Sequence, residues 1–128
     1  MGDVYSFREE GDTTVDIDSV EDSEDEWERV LLCRFCGHQI TRPAHAIEVD
    51  DGHHHTFFNP AGIIYEIRCF SKAEGCSQYG PASSEFAWFK GYTWRLVLCR
   101  GCAVHMGWHF SSGRMGFYGL ISKNLASS

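Results

Sequence analysis

The chain has 128 residues and a formal net charge of −7, room for one domain and little more. No basic N-terminal segment leads into an apolar run, and no apolar run approaches bilayer-spanning length. Secretory and membrane-spanning classes are therefore excluded as expectations, and a cytoplasmic protein is the default.

The charge is unevenly spread. Residues 1–29 carry twelve acidic side chains against Arg8 and Arg29 alone, a net of −10, which leaves about +3 for the rest of a chain that totals −7. Large apolar groups are scarce there, so the segment cannot bury enough surface to offset its ordering entropy. Residues 1–27 are expected to be a disordered acidic arm, and residues 28–128 the folded domain.

Next in order, "VLLCRFCGHQITR" reads as strand, knuckle, strand. "AHAIEV" is a short β run closed by a "DDGHHH" turn, and "TFFNPAGIIYEIRCF" places an Asn-Pro-Ala-Gly turn between two β-rich segments. "SKAEGCSQYGPASS" reads as a loop from its Gly, Ser and Pro content. "EFAWFKGYTWRLVLC" reads as two strands folded about Lys90-Gly91. "HMGWHF" and "GFYGLI" are two more strands, and residues 120–125 are the one place for a short helix. Strands at short intervals with turn signals between them predict an all-β domain.

Six cysteines are present, and four form two C-x-x-C pairs, Cys33/Cys36 and Cys99/Cys102. A two-residue spacing lets both thiolates of a pair reach one metal from a tight turn. Gly37 and Gly101 supply backbone freedom there. Two pairs make a tetrahedral Cys₄ set, which predicts one structural zinc with no open coordination position. Disulfides are disfavoured in a reducing compartment, and a redox C-x-x-C usually stands alone beside a βαβ pattern, absent here. The zinc would tie the first strand region to the late strands, making metal affinity part of folding stability. Cys69 reads as a buried strand thiol, and Cys76 has no C-x-x-C partner. His53, His54 and His55 read as a solvated turn, and His105 as a hydrogen-bonded structural histidine.

The stretch "EFAWFKGYTW" gathers Phe86, Trp88, Phe89, Tyr92 and Trp94 around Gly91, and Trp108 follows in "CAVHMGWHF". Folding about Lys90-Gly91 would bring Trp88 and Trp94 together across a hairpin. The zinc would hold the Trp108 strand beside them. Two readings fit. As core, three indoles bury large area but need three N–H acceptors. As an open box, they offer flat apolar faces and a polar edge.

"FNPAG", "SSEFAWFKGYTW", "CRGCAVHMGWHF" and "FYGLI", after an upstream "CRFC", resemble the CULT domain, the thalidomide-binding domain of the cereblon family. The resemblance runs from about Cys33 to Leu125. It implies a β-tent: two antiparallel sheets roughly at right angles, pinned by a Cys₄ zinc. It also implies a non-enzymatic module that binds cyclic imides. Trp88, Trp94 and Trp108 would wall the pocket, with Phe110 at its base and Asn59 and Pro60 at its rim. The Phe86-Ala87-Trp88 backbone, with one indole N–H, would bond the imide. Ligands so implied are glutarimide-like or uracil-like rings, free or at a peptide C-terminus.

Animal cereblon has a large preceding domain and a helical region that docks a ubiquitin-ligase adaptor, whereas only the acidic arm precedes Cys33. Ligase contact is therefore not carried over, and a monomeric stand-alone domain of bacterial or protist type, without nucleic-acid or membrane partners, is expected. Phe86-Ala87 also replaces the animal His-Ser pair, which removes the serine side-chain contacts. A methyl-ammonium reader stays open by aromatic-cage logic. So does a methionine-sulfoxide-reductase-like enzyme, although no cysteine follows Cys102.

Overall fold

A computed structural model describes residues 29–127. The acidic arm expected at residues 1–27 lies outside the described residues. The remainder is all-β, with nine strands in two antiparallel sheets. Among the described residues no helix is long and apolar enough to cross a membrane.

The smaller sheet has the order β2-β1-β9. Its central strand is β1 (Leu31–Cys33), flanked by β2 (Gln39–Thr41) and β9 (Leu125–Ser127). Leu31 pairs with Ser127 and Cys33 with Leu125, so the two ends of the domain close on each other. The larger sheet has the order β3-β4-β8-β7-β6-β5. It comprises β3 (His54–Phe58), β4 (Ile64–Phe70), β5 (Cys76–Ser83), β6 (Thr93–Cys99), β7 (His105–Ser112) and β8 (Met115–Ile121).

Side-chain alternation divides the apolar residues into two clusters. Leu31, Ile40, Phe70, Val97, Met106, Leu120 and Leu125 form one, which joins the two sheets. Ile67, Phe89, Trp108, Phe110, Phe117 and Ile121 form the other. Met106 and Trp108 would share a face in a regular strand, yet they join different clusters. A register shift explains this: Val97 pairs with Gly107 but Leu98 with His105, leaving Met106 as the extra residue of a bulge. Only glycine fits at 107, because a Cβ there would lie 2.1 Å from the Gly119 carbonyl oxygen.

Four expectations are corrected. Residues 71–84 are not all loop, since β5 occupies Cys76–Ser83. It is an edge strand, where proline costs no ladder bond, and its register skips between Tyr79 and Ser83, around Gly80 and Pro81. The hairpin about Lys90-Gly91 does not form. Residues 84–92 are turns and bends, because Phe89 is drawn into the aromatic cluster and a Tyr92 N–H to Phe89 carbonyl bond closes the turn. "AHAIEV" begins in a 3-10 turn, Pro43–His45, and contributes only isolated bridges. The C-terminal helix is one 3-10 turn, Ser122–Asn124, before β9.

The histidine run is also more structured than a solvated turn, since His54 and His55 lie in β3. A His53 ring nitrogen bonds the Ile47 carbonyl, and His55 Nε2 reaches the carbonyls of Val49 and Gly52.

Candidate functional site

Two features come out of this fold, a thiol cluster and an aromatic cavity. The thiol cluster is built from one local structure used twice. The Cys33 N–H donates to the His38 carbonyl while its own carbonyl accepts from Gly37; Cys99 does the same with Val104 and Ala103. Gly37 and Ala103 occupy equivalent positions and both have left-handed backbones, φ 79° and 66°. The second knuckle thus forces onto alanine a conformation that the first gives to glycine.

The Sγ atoms of Cys33, Cys36, Cys99 and Cys102 all lie within 4.8 Å of one another. Cys33 and Cys102 are 3.7 Å apart at sulfur, and Cys36 and Cys99 3.6 Å. A tetrahedron of thiolates about 2.3 Å from zinc has edges of about 3.8 Å, so the donor set fits a four-coordinate thiophilic ion. Burial disfavours charge on Cys99, but N–H groups of Cys102 and Gly101 outweigh it and hold that thiol low. The His38 backbone favours ionised Cys36, yet desolvation and the neighbouring sulfurs push it up to about 12. Four sulfurs this close do not ionise together without a cation among them. Gly101 lies inside the knuckle, where a Cβ would sit 2.9 Å from Cys36 Sγ.

Cys69 and Cys76 stand apart from this cluster. Burial pushes both thiols up to about 12, with smaller contributions from Asp50 and Cys99 respectively. Burial and a raised pKa keep both as thiols rather than thiolates near pH 7, as suits packing residues.

The cavity has a volume of about 390 Å³. Of the residues named from sequence, Asn59, Pro60, Phe86, Trp88, Trp94, Trp108 and Phe110 line it, and Ala87 does not. Trp94 and Phe110 are cross-strand partners on β6 and β7, and Trp108 lies two residues before Phe110. Trp88 comes from the 84–92 segment. Its ring stacks on Phe57 at 4.8 Å and meets Trp108 edge-on at 4.6 Å. Phe89, beside it in sequence, points the other way and is 2% exposed, packed edge-on against Phe110 and Phe117. The aromatic run is therefore both core and box, divided residue by residue.

Hydrogen bonds fix the walls. Trp88 Nε1 donates to the Phe58 carbonyl at 3.0 Å, and Trp94 Nε1 to the Glu85 carbonyl at 2.7 Å. Asn59 Oδ1 accepts from the Ile63 N–H, setting the β3–β4 turn at the rim. Phe86 at the mouth is 70% exposed and has a left-handed backbone, φ 53°. That conformation is costly for an aromatic residue and turns the local peptide groups away from a strand path.

Sequence reasoning missed Tyr65, Ser83, Glu85, Leu96 and His105, which also line the cavity. Tyr65 was recoverable from register, since it pairs with Phe57. His105 was not, because the bulge that turns it toward Trp108 leaves no mark in the sequence. Its Nε2 bonds the Gly107 carbonyl, as expected of a structural histidine. Its ring meets Trp108 edge-on at 4.7 Å. Burial lowers its pKa, partly offset by the Gly107 bond, so the ring is neutral near pH 7.

No protein-family model matches the chain. It is similar to the protein named cereblon in several flies. Drosophila erecta cereblon is 36% identical over 90 residues, covering 66% of this chain and 15% of that protein. The Drosophila persimilis protein is 32% identical over 108 residues, covering 77% and 17%. The Drosophila melanogaster protein is 34% identical over 90 residues, covering 66% and 15%. The chain spans about a sixth of the length of the relatives it matches.

Proposed function

From the premise that the described residues form a cereblon-like, CULT-type domain, we propose that it is a non-enzymatic binding module for cyclic imides. The observation that carries this reading is the cavity with Trp88, Trp94 and Trp108 around it and the Glu85–Trp88 segment along its edge. A planar imide has apolar methylenes on one side and an acceptor–donor–acceptor edge on the other. Indole faces cover the methylenes, and backbone groups of Phe86, Ala87 and Trp88 complement the edge. Asn59 and Pro60 close the rim and Phe110 the base.

Zinc is the proposed occupant of the four thiols, as a structural ion. It would supply the cross-link between the β1 and β6 knuckles and take no part in ligand chemistry. The high pKa of Cys69 and Cys76 speaks against a thiol-dependent reductase. Glu85 is the single acidic residue among those lining the cavity, so the walls favour a neutral ring over a fixed cation.

The test is a titration of the purified chain with glutarimide and, separately, tetramethylammonium, followed by tryptophan fluorescence and calorimetry. Saturable glutarimide binding with no ammonium binding is expected. The reverse order of affinities overturns the imide reading in favour of an amine reader.

A further inference from the structure

The domain and the segment before it carry opposite charge. Residues 29–128 hold ten lysines and arginines against six carboxylates, whereas residues 1–28 hold twelve carboxylates and Arg8 alone. The domain's excess has a place in the fold. Arg95, His109 and Tyr118 form one row across β6, β7 and β8, since each is the direct cross-strand partner of the next. Their sequence neighbours Trp94 and Phe110 line the aromatic cavity, so this row points to the opposite face of the sheet. His109 and Tyr118 continue into a depression of about 460 Å³ that Lys72 and Arg100 also line, with Glu74 as its one carboxylate. Among the described residues no carboxylate pairs with the three cations. Arg95 is held by the Gly80 carbonyl and the Gln78 side-chain oxygen, Arg100 by the Glu74 carbonyl, and Lys72 is exposed.

The acidic segment joins the domain beside this depression. Val30 lines a neighbouring hollow together with Glu74 and Gly75, and Glu74 belongs to both. We propose that the cationic depression is the seat of the chain's own acidic segment, residues 3–28, held there by charge and not by a packed core. The composition that denies the segment an independent fold is the one such a contact uses. Tethering makes the contact intramolecular, at an effective concentration on the order of millimolar. Exposed ion pairs that are individually weak then suffice when several act together. The segment becomes a built-in competitor for any other polyanion at this face. The covered surface lies across the sheet from the cavity, so the proposal is independent of what the cavity binds.

Carbodiimide cross-linking of the full-length chain tests it, because the reagent joins carboxylates to lysine amines in direct contact. The chain has three lysines, Lys72, Lys90 and Lys123, all exposed, and only Lys72 lines the depression. Twenty-eight residues extend to roughly 90 Å, so reach alone favours none of them. Mass spectrometry of dilute protein in about 20 mM salt should find residues 3–28 joined to Lys72 at least about fivefold more than to Lys90 or Lys123. The excess should vanish in about 0.5 M salt, where exposed charges are screened. Arg100→Gln should reduce it severalfold at low salt, with the thermal transition as the check on folding. Should that variant not fold, the salt comparison on the native chain decides. Equal joining to the three lysines at low salt overturns the proposal, as does a Lys72 excess that survives high salt or is unchanged in a folded Arg100→Gln chain. A mixture of nitrogen-14 and nitrogen-15 chains identifies the occupant. Lys72 products that combine the two isotopes would seat a second copy's segment there and overturn the intramolecular assignment.

Discussion

Trp94 Nε1 donates to the Glu85 carbonyl at 2.7 Å. One wall of the cavity thereby holds the segment that forms its edge. The backbone that carries Phe86 in a left-handed conformation is tethered at Glu85 by a side chain nine residues after that glutamate, on β6. Trp94→Phe should keep most of the apolar face but release this tether. The expected result is a stability loss of about 1 kcal/mol and a larger loss of imide affinity, because the 85–88 edge is no longer preorganised. Chemical denaturation and calorimetry on one preparation separate the two. Loss of stability with full affinity would show that the edge holds its shape without the tether.

The thiol cluster makes a second prediction. Cys33→Ser, or the same change at Cys36, Cys99 or Cys102, should strip the metal and abolish the cooperative thermal transition, because two sheets share one small core. Elemental analysis of the native chain should give one zinc per molecule. A chelated, metal-free preparation that keeps its transition would show that the apolar core suffices alone.

The repeated knuckle geometry yields a prediction of opposite sign. Ala103 has φ 66° at the position where the first knuckle has Gly37. Ala103→Gly removes steric strain of about 1 kcal/mol while loosening the unfolded chain by a smaller amount. The variant should be as stable as the native protein or slightly more so. A clear drop in the denaturation midpoint would mean that the alanine methyl packs against the knuckle.

Much of this was legible beforehand because it rests on local chemistry. The C-x-x-C pairs place thiols in turns whatever surrounds them, and Asn59-Pro60-Ala61-Gly62 makes a turn by its own side-chain and backbone preferences. The parts that were not legible depend on distant partners. β5 forms because β6 offers a ladder, and its Gly80 and Pro81 are absorbed by a register skip that composition cannot show. The 84–92 segment gives up strand pairing because Phe89 finds a buried place among Phe110 and Phe117, its Trp88 indole donates to the Phe58 carbonyl, and its Glu85 carbonyl accepts from Trp94 on β6. His105 reaches the cavity only through the bulge at Met106.

pH gives a prediction with a defined sign. Burial lowers the pKa of His105 below its ordinary value of 6.5, and burial also lowers His53 and His109. These rings are neutral in the folded protein at pH values where the unfolded chain takes up protons. Stability is therefore full above about pH 7 and declines as pH falls through 6.5 toward the lowered folded values. The thermal midpoint should drop between pH 7.5 and 5.5, and His105→Gln should flatten part of that dependence. Metal content measured at each pH separates this effect from thiol protonation. A midpoint independent of pH across the window would contradict the burial argument.

The imide edge itself is tested by N-methylglutarimide. Micromolar affinity for the free imide corresponds to about −8 kcal/mol, a large return for so small a ring, and it requires a cavity that is largely preformed. The committed indole bonds of Trp88 and Trp94 and the stacking of Trp88 on Phe57 are what supply that preorganisation here. Methylation at the imide nitrogen removes the ring's only donor and adds bulk against the Phe86 backbone. The carbonyl that would accept that donor is then left unpaired, at a cost of about 1–3 kcal/mol before any clash. Affinity should fall at least tenfold. Trp108→Ala should abolish detectable binding of either compound while the metal is retained, because it removes a whole wall rather than one contact. Equal binding of the methylated and free imides would mean that the donor–acceptor edge is not read, and that the cavity selects rings by apolar contact alone.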